Sequence, residues 1–119
     1  MVTELLPYSM IEIREYIDVL GINHFGKWFK NLNAPASARV VKYLARIEQG
    51  NFSTVKSVGQ GVFETKIDFG PGYRVYFGKD GEQLVILLGG GTKKRQQQDI
   101  QKAHLLWQEY KSRKVGGNS

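Results

Sequence analysis

The stretch DFGPGYRVYFGKDGEQLVILLGGGTKKRQQQDI, residues 68–100, decides the fold. Tyr73, Val75 and Phe77 alternate with Arg74 and Tyr76, the period of a strand with two unlike faces. A Gly-Pro-Gly group turns the chain just before it. The Asp80-Gly81 pair just after it is the sequence signature of a two-residue type I′ hairpin turn. Residues 83–88, QLVILL, are apolar on both faces, which predicts a central strand. Three glycines then precede Lys93, Lys94 and Arg95. Glycine bends freely, so the triplet is expected to swing those cations toward the rim of the sheet.

Outward from this stretch the same two periods recur. Residues 62–69 alternate, with Phe63, Thr65, Ile67 and Phe69 on one face and Val62, Glu64, Lys66 and Asp68 on the other. Residues 11–17 alternate less cleanly and predict a first strand. Between them, Phe25, Trp28, Phe29 and Leu32 fall at i, i+3, i+4 and i+7, one apolar stripe of a helix over 24–32. Asn33 and Pro35 mark a stop and a restart. Val40, Tyr43, Leu44 and Ile47 give the next helix, over 35–49, which Gly50 ends. Residues 50–61 read as a loop. Ile100, Ala103, Trp107 and Tyr110 stripe a last helix over 92–113, with Thr92 as its cap. Trp28 and Trp107 are expected in the core, and the tail from Val115 is expected to fray.

The predicted order is β-α-α-β-β-β-α. It implies an α+β fold with a helical hairpin on one face of a small, mainly antiparallel sheet, and a basic C-terminal helix leaving the sheet's end. No repeat or linker divides the 119 residues, so one domain is expected, with its core at about 10–112. There is no cysteine, which excludes disulfides and thiolate chemistry and suits the cytoplasm. No apolar run is long enough to span a membrane, and MVTELLPYSMIEI lacks the pattern of a signal peptide. His24 and His104 have no carboxylate at ligand spacing, so neither a metal site nor a cofactor is expected.

The net charge of +6 favours a polyanionic partner, nucleic acid first and an acidic protein second. Strand alternation places Glu64, Lys66, Arg74 and Tyr76 on the face away from the helical hairpin, with Lys66 beside Arg74. With Lys93, Lys94 and Arg95 at the rim, that face is expected to be open and to grip a phosphate backbone. The alternative is an ordinary solvated face of cross-strand ion pairs. The contiguous glycines do not have the spacing of a phosphate-binding P-loop.

The blocks KIDFGPGYRVYF and LVILLGGGTKKRQQQDIQKA, with the Phe/Trp helix before them, resemble the RelE/ParE toxin superfamily. Within it they are most similar to the phage-derived, HigB-like "addiction module killer protein" branch. The resemblance spans roughly residues 10–112. It implies the toxin of a type II toxin–antitoxin module, held by a cognate antitoxin of helix-turn-helix type in a hetero-oligomer. It further implies a metal-independent endoribonuclease that cuts mRNA on the ribosome. A gyrase-directed toxin and a non-catalytic antitoxin-binding module share the same fold. By the resemblance, Arg74 is the arginine on the scissile phosphate. Lys66 lies one residue from a strand lysine of the site, and one of Lys93, Lys94 and Arg95 is the basic residue after the last strand. Glu64 stands where a second basic residue is common, which makes it an alternative base to Lys66. Asp99 and Ile100 stand where an aromatic or histidine is expected, so Tyr76 is the candidate substitute at the nucleic acid, with His104 behind it.

Overall fold

The computed structural model describes residues 10–117. The two ends of the chain, with the expectation of no signal peptide, lie outside the described residues. The elements in order are β1 (Glu12–Glu15), α1 (His24–Lys30), α2 (Ala34–Glu48), β2 (Val55–Ser57), β3 (Val62–Ile67), β4 (Tyr73–Lys79), β5 (Leu84–Thr92), a 3₁₀ turn (Lys93–Arg95) and α3 (Gln96–Gly117). The strands form one mixed five-stranded sheet in the order β1-β5-β4-β3-β2. β1 runs parallel to β5, and the other neighbours are antiparallel. The α+β class and the mainly antiparallel sheet are as expected, and β2 is added to the predicted order.

Local chemistry explains the helix starts. The Asn23 side chain accepts from the Gly26 N–H at 2.8 Å and caps α1. Asn33 does the same for α2 through the Ala36 N–H at 2.9 Å. Gly50 closes α2 with φ +82°, a left-handed conformation that suits glycine. Thr92 precedes the 3₁₀ turn but makes no side-chain cap.

Further expectations are corrected. Residues 80–83 form the link between β4 and β5, closed by the Asp80 N–H to the Leu84 carbonyl at 2.8 Å. Gly81 has positive φ there and Asp80 does not, so the turn is not type I′. Residues 55–57 are not loop: Val55, Lys56 and Ser57 pair with Thr65, Glu64 and Phe63. The glycine triplet is not a bend. Gly89, Gly90 and Gly91 continue β5 and pair with Tyr76, Val75 and Arg74.

The largest correction concerns α3. It does not leave the sheet's end but lies across the sheet face opposite α1 and α2, giving three layers. One core joins Phe25, Val40 and Ile47 of the helices to Ile67, Val75, Phe77 and Leu87. The second joins Ala103, Leu106 and Trp107 of α3 to Val62, Tyr76, Ile86 and Leu88. Each helical layer docks by a tryptophan on a strand glycine. A Cβ on Gly90 would lie 2.3 Å from the Trp28 ring, and one on Gly78 would lie 2.3 Å from the Trp107 ring. These positions accept nothing larger than hydrogen.

Candidate functional site

The register of the strands brings the predicted cations to one end of the sheet. Lys66 of β3 is paired with Arg74 of β4, and Arg74 with Gly91 of β5. Thr92 is paired with Tyr73, so Lys93, Lys94 and Arg95 follow directly beside the start of β4. Lys66 and those three cations are exposed.

Arg74, Glu64 and Tyr76 are not. They share the face predicted for them, but α3 covers it. Glu64 is 1% exposed, Arg74 5% and Tyr76 fully buried. Glu64 accepts from Gln96 Nε2 at 3.0 Å. Arg74 Nε lies 3.6 Å from Glu64 Oε1, and Lys56 Nζ lies 3.8 Å from Glu64 Oε2. Glu64 is therefore ringed by donors. Arg74 Nε and Nη1 and the Tyr76 hydroxyl are the buried side-chain polar atoms without a hydrogen-bond partner among the described residues. Burial, then the neighbouring Glu64 carboxylate, pushes the Tyr76 hydroxyl far above the usual tyrosine range. With its ring under α3, Tyr76 presents no open face to a base.

A cavity of about 370 Å³ opens on the other side of Tyr76. Its existence follows from strand lengths. β1 pairs with β5 only as far as Leu87, so the outer edge of β5 at Gly89 and Gly90 has no strand against it. α1 and α3 wall this gap with His24, Lys27 and Trp28 on one side and Asp99, Lys102 and Ala103 on the other. Asp99 leans over Gly91, where a Cβ would meet its Oδ2 at 2.1 Å. Burial raises the Asp99 carboxyl above its ordinary value, against the pull of Arg95 and Lys102.

His24 is not isolated. Its Nε2 lies 2.7 Å from Asp18 Oδ2, and Asp18 Oδ1 accepts the backbone N–H groups of Leu20 and Ile22, each at 2.9 Å. The Ile22 N–H first, and His24 next, hold the Asp18 carboxyl below the usual carboxylate range. An ionised carboxylate only accepts, so His24 donates through Nε2 and its Nδ1 is left over. The sequence signal was an Asp six residues before a helix-starting His. A turn closed by the Ile17–Asn23 bridge brings them together. His104 instead bonds the Val58 carbonyl through Nε2 at 3.0 Å.

Lys56, Gln96 and the Asp18–His24 pair were missed in the sequence reading. Lys56 was hidden by taking β2 for a loop, and Gln96 by the misplaced α3. Among the described residues, no group of three or more His, Asp or Glu is placed to hold a metal ion. No helix among them is long and apolar enough to cross a membrane.

Comparison with known proteins adds two findings. Residues 27–111 match the family described as phage derived protein Gp49-like (DUF891). A Haemophilus influenzae protein described as uncharacterized is 46% identical over 86 residues, covering 71% of this chain and 87% of the relative. Residues 27–111 contain most of both cores, the cationic end of the sheet and most of the cavity wall.

Proposed function

The chain belongs to the Gp49-like family of phage-derived proteins, and from that premise we propose that it is the toxin of a type II toxin–antitoxin module, a RelE/ParE-like endoribonuclease that cuts mRNA on the ribosome. The observation that carries this reading is Arg74. Its guanidinium is held beside Glu64, and its Nε and Nη1 have no hydrogen-bond partner. Around it stand Lys66 and the Lys93–Arg95 turn, all exposed. Unspent, oriented donors in a desolvated place, reached through surface cations, suit a phosphoryl group that gains charge.

In this reaction the ribose 2′-hydroxyl gives its proton to solvent water or to a ribosomal group as its oxygen bonds to phosphorus and the bond to the 5′-oxygen breaks. The products are a 2′,3′-cyclic phosphate and a 5′-hydroxyl. Arg74 binds the non-bridging oxygens. Lys66, exposed and paired with Arg74 in the strand register, gives a proton to the departing 5′-oxygen in this reading. Glu64 is too enclosed to reach the 2′-hydroxyl and serves as the counter-ion that positions Arg74. Gln96, from the first turn of α3, donates to Glu64 and holds that counter-ion in place. Lys93, Lys94 and Arg95 track the strand, and the cognate antitoxin silences the protein as a hetero-oligomer.

Induced expression of the wild type and of Arg74→Ala, with growth followed and transcript 5′ ends mapped, tests this. Arrest with new cuts inside reading frames, lost in the variant, is expected. Arrest with intact transcripts would point to gyrase instead, and no arrest would leave an antitoxin-binding module.

A further inference from the structure

We propose that the cavity between α1 and α3 is a nucleobase-binding site, selective for guanine, that takes one base of the RNA strand. This rests on the ribonuclease reading above and adds to it a base preference.

Four features converge on a base. The first is size: about 370 Å³ lies in the range of sites for small planar ligands. The second is an aromatic wall. The Trp28 indole rests on Gly90 and also lines the cavity, half-buried. Single-stranded bases are held by stacking on such rings. The third is the pattern of polar groups. Asp99 lines the cavity and makes no hydrogen bond or ion pair among the described residues. A carboxylate accepts twice. The guanine edge presents the complement, adjacent N1–H and N2–H donors. Adenine would set its N1 lone pair against the Asp99 carboxylate. The fourth is the rim, where Lys27 and Lys102 are exposed and can take the flanking phosphates.

The glycine triplet fits this site residue by residue. Gly90 admits Trp28, and Gly91 admits Asp99. Gly89 admits neither: a Cβ there meets nothing within 4 Å, and the residue lines the cavity. Its backbone is in an ordinary strand conformation. Gly89→Val therefore puts a side chain into the cavity at a position where a Cβ meets no neighbour.

The test is titration of the intact protein with GMP, AMP, CMP and UMP, followed by amide and indole NMR shifts. Wild type is expected to show saturable shifts at the Trp28 indole and at Gly89 and Gly90, with GMP tighter than AMP by on the order of tenfold. Gly89→Val should keep its melting temperature and lose the shifts. Asp99→Asn should erase the preference for GMP. Absence of cavity shifts with all four nucleotides, or shifts that persist in Gly89→Val, would overturn the proposal. Transcript mapping separates this from the ribonuclease reading. If wild type and Gly89→Val cut the same sites equally, the base site fails and the nuclease stands. If nucleotides bind but no transcript is cut, the nuclease reading fails and the base site stands.

Discussion

Arg74 and Glu64 form a buried ion pair whose members depend on each other. Removing one charge strands the other in a place with little water, at a cost of about 3–5 kcal/mol. Glu64→Gln and Arg74→Ala are each expected to lower the unfolding free energy by an amount of that order. The double change Glu64→Leu with Arg74→Met should recover most of it, since apolar pairs replace buried ion pairs well. A double-mutant cycle by urea unfolding, with Glu64→Leu and Arg74→Met made singly and together, checks this. Additive losses would show that the two groups do not interact. The pairing partners of Arg74 could be read from the sequence, because alternation and one tight turn put Lys66 beside it. Its burial could not, because that depends on where α3 lies. The Asp18–His24 pair was equally hidden, since its contact is made by a turn and not by any helical or strand spacing.

Gly78, Gly89 and Gly90 look alike in sequence and do different work in β4 and β5. Trp107 and Trp28 need the hydrogen of Gly78 and Gly90. Gly78→Ala and Gly90→Ala are each expected to destabilise by about 1–3 kcal/mol, the usual cost of overpacking. Gly89→Val should be near neutral by thermal melting. Equal losses at all three positions would contradict the close-packing account. The triplet was read as a bend because glycine's freedom is its better-known property. Closeness, its other property, shows only when the opposing ring is known. β2 escaped for a different reason. Three residues carry too little alternation to be seen, and pairing with β3 alone makes them a strand. The longer elements were legible because their apolar periods are long enough to exclude the alternative.

The whole molecule is three layers, and its outer layer is fastened at both ends. At the far end Asp80, in the β4–β5 link, accepts from Tyr110 at 2.6 Å and from Lys114 at 2.7 Å. Tyr16 donates to Glu109, and Arg113 donates to the Ile17 carbonyl at 2.8 Å. Lys114 first, then Tyr110, depress the Asp80 carboxyl in the folded state. Burial and then Asp80 push the Tyr110 hydroxyl up to about 12. A depressed carboxyl stabilises the fold above its unfolded value of about 3.9, and that contribution is lost as pH falls through the folded value. Asp80→Asn is therefore expected to melt lower than wild type at pH 7, with the gap closing below about pH 4. A gap independent of pH would remove this fastening from the account.

At the near end Gln96 of α3 holds Glu64 beside the buried Arg74, the proposed site of the chemistry. The most direct measurement is cleavage of a defined mRNA on purified ribosomes by the wild type and by Arg74→Lys, each first shown to be folded by thermal melting. Lysine keeps the charge beside Glu64 but loses the planar fork that grips a phosphate. Wild type is expected to leave 5′-hydroxyl and 2′,3′-cyclic phosphate ends, and a folded Arg74→Lys to cut more slowly by at least on the order of a hundredfold. Equal cutting by the two proteins, or wild-type products with other ends, would contradict this mechanism.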